Sequence, residues 1–234
     1  MIRSTPDNLE LLYEDNHIIA VNKRAGDIVQ GDQTGDTPLS EVVKAFLKHK
    51  YQKPGNVFTG VVHRIDRPVS GAVLFAKTSK ALSRLNALFQ KKEVRKTYLA
   101  CVAPAPKDLD CRLEHYLRKD ASKNKSTVVR AGRPGAKKAE LEYRVLAHGQ
   151  RYTLLEISPL TGRHHQIRCQ LSAIGCPIKG DLKYGAARSN LDGGIHLHAH
   201  GLNFRHPVSG LQVVIKAPLP EHDPLWQFFA KAVS

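Results

Sequence analysis

Short apolar runs outnumber helical stripes along this chain. Residues 9–13 and 17–22 form an apolar pair around Glu14-Asp15-Asn16, a turn-type cluster, and read as a hairpin. Leu39, Val42, Val43, Phe46 and Leu47 recur at helical spacing behind Pro38, which predicts a helix to about Lys50. The runs 57–62 and 72–76 read as strands with a polar connection between them. Ser79 is the expected N-cap of a helix to about Lys92, with Leu82, Leu85, Leu88 and Phe89 as its buried stripe. Residues 96–102, 111–117, 126–129, 139–146 and 152–157 read as further strands, interrupted by a polar, basic, Gly/Pro-containing stretch at 119–138. A helix over 164–174 is closed by Gly175, 195–204 and 211–216 are strands, and 223–230 is a last helix. Strands that rarely alternate one for one with helices predict an α+β fold with a largely antiparallel mixed sheet and flanking helices.

Charge narrows the partner. Lys and Arg number 36 against 21 acidic residues, a formal net charge of +15. An excess of that size is the electrostatic footprint of a polyanion binder, and nucleic acid is the commonest such partner. The bland alternative is a surface made basic for solubility. The charge recurs at 44–53, 91–96, 118–125 and 130–138, so no single tail carries it. No run of about 18 apolar residues predicts a membrane span. Residues 1–8 lack the apolar core of a secretion signal. Cys101, Cys111, Cys169 and Cys176 form no Cys-x-x-Cys pair, so neither a zinc site nor a dense disulfide framework is expected. These features predict a cytoplasmic protein with reduced thiols.

Three constellations could carry chemistry. In His63-Arg64-Ile65-Asp66-Arg67-Pro68-Val69-Ser70-Gly71, one carboxylate stands between two guanidinium groups on a connection between strands. Flanking cations favour the ionised carboxylate, and a bare, oriented carboxylate is a nucleophile or a base. The same pattern also reads as a solvated surface ion cluster worth little. In Leu160-Thr161-Gly162-Arg163-His164-His165-Gln166-Ile167-Arg168, a helix is expected to open with His164 and Arg168 on one face, suited to grip an anion. Arg168 could instead hold a structural carboxylate, and Asp66 is the candidate that links both motifs. Third, strand alternation puts Lys96, Tyr98 and Ala100 on one face, where Tyr98 could stack on a nucleobase with Lys96 near the phosphates. A lone strand tyrosine is more often half-buried packing.

Taken together, these pieces resemble the RluA-type RNA pseudouridine synthases, whose signature is His-Arg-Leu-Asp-x-x-Thr-Ser-Gly. Here Ile65 replaces Leu and Val69 replaces Thr. Gly162 to Arg168 is similar to the family's Gly-Arg-x-His-Gln-Ile-Arg, and Lys96 to Tyr98 to its Lys-x-Tyr. Gly180-Asp181-Leu182-Lys183-Tyr184-Gly185 resembles Gly-Asp-x-x-Tyr-Gly, and Leu197-His198-Ala199 with the later Phe204-Arg205-His206-Pro207 resembles its C-terminal elements. The likeness runs from about Leu11 to Pro218.

The resemblance implies one catalytic domain over 1–234. Many relatives carry an added N-terminal RNA-binding module, but only about eight residues precede the first strand here, so none is expected, and a monomer is expected. The resemblance also implies an isomerase that breaks the N-glycosidic bond of a flipped uridine, turns the uracil and rejoins a ring carbon to the ribose. Asp66 would attack or deprotonate the ribose, Arg168 would pair with it, and Tyr98 would lie against the uracil. Arg64 would enter the RNA where the uridine has left. His63, Arg67, Lys96, Arg163, His165, Lys123, Lys125, Lys137 and Lys138 complete the expected RNA contacts, the last four on the basic stretch 119–138. The partner is a tRNA or rRNA stem-loop with an unstacked uridine.

Nothing is oxidised or hydrolysed overall, so no cofactor and no metal are expected. A hydrolytic glycosidase needs two flanking carboxylates, and nothing ties Glu156 or Asp181 to Asp66. An RNA-binding protein that has lost catalysis is the other alternative. His196, His198 and His200 would share one strand face, a pattern able to bind zinc or nickel.

Overall fold

The hairpin expected at the start of the chain forms around an aspartate. Asp15 Oδ1 accepts the backbone N–H groups of His17 (2.7 Å) and Ile18 (2.9 Å), which turns β1 (Leu11–Glu14) back into β2 (Ile18–Lys23). The computed structural model describes residues 3–233. They fall into two compact units, one reaching to Lys96 and including Ala199–Pro220, the other comprising Thr97–His198 and the segment from Glu221 onward.

In the first unit the strand order is β1-β2-β4-β10, with β4 (Ser70–Ala76) antiparallel to β2, and β11 (Gln212–Lys216) antiparallel to β10 (Leu197–Arg205). Ile18, Ile19, Ala20 and Val21, and Ala72 to Ala76 opposite them, are fully buried. Central strands covered on both faces read as continuous apolar runs for this reason. Helix α1 (Leu39–Lys50) starts with Pro38 as its cap residue and buries Leu39, Val42, Val43 and Leu47. Helix α2 (Ser79–Gln90) buries Ala81 and Leu85, while Leu82, Leu88 and Phe89 pack half-buried against the same core. Burying one such leucine is worth about 1.5–3 kcal/mol.

Two expectations are corrected in this unit. Thr78, not Ser79, caps α2, its hydroxyl accepting Ala81 N–H at 3.1 Å. The run 57–62 yields only the two-residue strand β3 (Gly60–Val61) on β4. Outside β3, the Thr59 hydroxyl donates to Ser40 O on α1 at 3.2 Å, Val57 is buried and Phe58 is exposed, so the apolar run is not a continuous ladder.

The second unit orders its strands β5-β9-β8-β6-β7, where β5 is Arg95–Val102, β6 Asp110–Asp120, β7 Lys125–Val129, β8 Lys137–His148 and β9 Thr153–Pro159. Each pair whose register is described is antiparallel. The strand expected at 126–129 forms as β7, but the basic stretch 119–138 around it interrupts the strands less than expected. It extends them, because β6 and β7 pair from Tyr116↔Val129 to Asp120↔Lys125 and close through a tight turn with Asn124 at φ +44°. Helix α3 (Gln166–Ala173) contributes Cys169 to a small buried cluster with Leu117, Ala139 and Tyr184. Helix α4 (Pro224–Phe229) is capped by Asp223 and buries Trp226 and Phe229. Among the described residues no helix is long and apolar enough to cross a membrane.

Candidate active site

The first signature lies on the connection between β3 and β4. Asp66 is half-buried there, and its carbonyl accepts Val69 N–H at 3.0 Å, closing a turn over Arg67 and Pro68. Beneath the turn sits Lys23, 1% exposed at the end of β2. Its ammonium donates to three carbonyls, Arg24 (2.9 Å), Asp27 (2.7 Å) and Arg67 (3.1 Å). Burial pushes Lys23 down to about 7, against the pull of Asp27 and Asp66. Three acceptors match the three N–H bonds of the charged form, so the geometry favours the ammonium. Lys23 thus fixes the backbone beside Asp66 to the sheet.

The residues flanking Asp66 separate by partner. The Arg67 guanidinium is gripped by the loop before α1, donating to Asp36 Oδ2 and to Thr34 Oγ1, both at 2.7 Å, with Asp32 at 3.5 Å. Asp36 also meets Arg3 at 2.5 Å, and the hydrogen bonds from Arg3 and Arg67 hold its carboxyl at about 2. Arg64 is exposed. The His63 ring stacks on Phe89 (5.0 Å, 19°), and its Nε2 accepts Leu74 N–H at 3.1 Å. Burial, with Lys96 adding to it, pushes His63 down to about 3, so this ring is neutral and serves the fold. Lys96 on β5 is half-buried and lowered by burial and by Lys92.

In the second unit, Tyr98 is half-buried on β5 opposite Ile157. The second signature departs from its expected form. His165 takes a left-handed conformation (φ +53°) as the N-cap of α3, so the helix begins at Gln166 and His164 lies outside it. His164 and Arg168 therefore do not share a helix face. The turn is set by Gln166, whose Oε1 accepts the Thr161 hydroxyl (2.7 Å) and Arg163 N–H (2.9 Å). The His165 ring is buried against His164 (3.8 Å, 20°) and reaches the Tyr184 hydroxyl at 3.0 Å.

Arg168 is 5% exposed and meets Asp181 in a two-pronged pair, Nε to Oδ2 at 2.7 Å and Nη2 to Oδ1 at 2.8 Å. Such parallel charge-assisted bonds fix the plane of a guanidinium. Sequence reasoning did not assign Asp181 and Lys23 to the site. Asp181 is visible only as part of Gly-Asp-x-x-Tyr-Gly, and Lys23 only as a lysine closing an apolar run.

The four lysines of the basic stretch differ as well. Lys123 and Lys137 are exposed, whereas Lys125 lies over the Tyr184 ring at 5.1 Å. Lys138 pairs with Glu114 (3.0 Å) and Glu140 (3.3 Å), and Arg163 Nε donates to Lys138 O at 2.9 Å. His196 precedes β10, buried, where it bonds Asp223 (3.0 Å) and Asn190 (2.9 Å) and stacks on Trp226. His200 meets Ala217 O at 3.0 Å. Among the described residues no group of three His, Cys, Asp or Glu is placed to hold a metal ion.

Residues 17–173 match the family model for RNA pseudouridylate synthase. The chain belongs to the RNA pseudouridylate synthase family. It is 35% identical over 218 residues to the ribosomal large subunit pseudouridine synthase C of Buchnera aphidicola, covering 89% of this chain and 67% of that protein. It is 34% identical over 240 residues to the tRNA pseudouridine synthase C of Pectobacterium carotovorum, covering 94% and 60%. The chain spans about two thirds of the length of the curated relatives it matches. Human RNA pseudouridylate synthase domain containing 4 shares the fold, with a TM-score of 0.76 at 24% identity over 96% of this chain and 91% of that one. The expected α+β architecture with flanking helices is thus that of pseudouridylate synthase domains.

Proposed function

We propose that this chain isomerises uridine to pseudouridine in RNA, and that residues 1–234 act as one catalytic domain. The observation that carries the reading is the family match over 17–173, which includes both signatures. Asp66 is the proposed nucleophile or base at the ribose, and Arg168 the cation that keeps it ionised. Tyr98 is proposed to lie against the uracil and Arg64 to fill the gap left by the flipped nucleotide. The bond from N1 to the ribose breaks and one from C5 forms, the C5 proton leaves, and N1 gains a proton. The formula is unchanged, and the step needs no oxidant, hydrolytic water or cofactor. The formal net charge of +15 supports a polyanionic substrate. Relatives named for ribosomal and for transfer RNA make structured RNA of either kind the proposed partner.

The test is release of tritium from RNA labelled at C5 of uridine. Active wild type and an Asp66→Asn variant that binds RNA but releases nothing would support the reading. Equal release by both would overturn the role of Asp66. RNA binding without release by wild type would leave the chain an RNA binder.

A further inference from the structure

We infer that Asp181 is a positioning residue for Arg168, and that Tyr184, on the same short turn, ties the basic β6–β7 hairpin to it. The inference rests on the reading that Arg168 serves the isomerisation. Residues Leu182–Tyr184 form a single 3-10 turn, with Asp181 as its cap residue. Asp181 is 1% exposed, and its two oxygens engage Arg168 Nε and Nη2. The Tyr184 ring lies 5.0 Å from the same guanidinium carbon. A carboxylate in its plane and a ring at its face leave the arginine head little freedom to swing. The segment 181–184 supplies both, with Asp181 13 residues on from Arg168 in sequence.

The other end of Tyr184 holds the hairpin. Its hydroxyl accepts Ser126 N–H at 2.9 Å and lies within reach of Ser126 O (3.2 Å) and His165 Nδ1 (3.0 Å). Ser126 Oγ donates to His164 O at 2.7 Å, and His164 Nε2 meets Asn124 Oδ1 at 3.0 Å. Lys183, on the same turn, reaches Asn124 O at 3.2 Å. The hairpin turn carrying Lys123 is thus fastened, at Asn124 and at Ser126 just beyond the turn, to residues that bracket Arg168 in sequence. A phosphate backbone pulling on the hairpin is felt by the segment that aims the guanidinium, with no other element intervening.

Asp181→Asn keeps the shape and one acceptor, but turns an N–H₂ group toward a guanidinium N–H. A positioning role predicts a kcat lower by about 100-fold, the order expected for a misplacement of about 1 Å, with RNA affinity within about threefold of wild type. Tyr184→Phe keeps the ring and loses the hydroxyl. It should raise KM about tenfold and lower kcat no more than about threefold, since the hydroxyl's hydrogen bonds to Ser126 beside the hairpin turn and to His165 are lost while the ring over Arg168 stays. Opposite kcat and KM effects from one turn are not what general loosening would give. Asp181→Asn with kcat within threefold of wild type overturns the inference, as does an equal loss of kcat in both variants. If Asp181→Asn melts below the assay temperature, Asp181→Glu repeats the test. It keeps the charge but shifts the carboxylate by one methylene, and at least tenfold lower kcat is expected, with unchanged kcat refuting the role. Wild type inactive on every RNA would count against the proposed function instead. The Arg168 Nε–H signal in nitrogen-15 NMR, slow to exchange in wild type and fast in Asp181→Asn, would then still report the clamp.

Discussion

Gly71, the last residue of the first signature, gives the sharpest test of how the site is built. Its φ is +113°, and an added Cβ would stand 2.3 Å from Ala199 O and 2.7 Å from Ala199 N on β10. Both neighbours are backbone, so no side chain can rotate away. In Gly71→Ala, the backbone conformation costs about 1–3 kcal/mol. Pushing two strands apart adds about 1–3 kcal/mol. The sum, about 2–6 kcal/mol, is a large part of the about 5–15 kcal/mol that holds an average domain together. At about 2–4 °C per kcal/mol for a chain this size, the melting temperature should fall by roughly 4–24 °C. Urea unfolding followed by circular dichroism measures the loss, and tritium release measures its reach to Asp66, five residues upstream. Gly31→Ala and Gly55→Ala are the controls, since an added Cβ meets nothing within 4 Å and neither has positive φ. Those should be neutral or gain about 0.4–1 kcal/mol from a less flexible unfolded chain. A Gly71→Ala protein as stable as these controls would refute the reasoning, and with it the close approach of the two strands.

Two further outcomes follow from single side chains. Because burial holds His63 at about 3, below its unfolded value of 6.5, it favours the fold fully above pH 6.5, and that contribution fades as pH falls toward 3. His63→Gln, which still offers Leu74 an acceptor but does not titrate, should flatten the acid limb of stability against pH; an unchanged limb in chemical denaturation would refute this. On RNA, Lys123→Ala with Lys137→Ala should reduce the slope of log affinity against log salt by about 1–2, at about 0.7–0.9 per phosphate contact. Lys138→Ala should change it less, because Glu114 and Glu140 already hold that ammonium. Equal slopes for wild type and the double variant in filter binding would move the RNA away from the hairpin.

The elements legible in the sequence were those whose apolar spacing is local. The stripe of α1 and the continuous runs of β2 and β4 needed no partner to be read, because burial on one face or both leaves its period in the chain. The misreadings came where tertiary partners override local signals. Residues 57–62 are apolar enough for a strand, yet the Thr59–Ser40 bond and the packing of Val57 turn most of the run to other use. Residues 119–138 are polar and basic enough to read as an interruption around the strand at 126–129, yet pairing with β7 carries β6 on to Asp120, and β8 already starts at Lys137. One left-handed residue, His165, moved the start of α3 and removed a face on which two candidate side chains were to stand together.

For the site, motif order identified the family, but chemistry within a motif depends on residues far away in sequence. Arg64 and Arg67 are equivalent as written, one on each side of Asp66. The fold distinguishes them through Asp36 and Thr34, more than thirty residues earlier, which bind Arg67 and compensate its charge. His63 and His165 stand in the signatures like ligands for RNA, yet Phe89 and Tyr184 draw both rings into the interior. The exposed charges Arg64, Lys123, Lys137 and Arg163 are the ones proposed to meet RNA, while His63 and His165 are held by contacts within the fold. Mutating an inward residue should therefore cost stability first and activity second. Mutating an outward one should change RNA affinity and its salt dependence while the melting temperature stays put. That order of effects can be measured residue by residue, and a reversed order at any of these positions would show that its side chain has been given the wrong task.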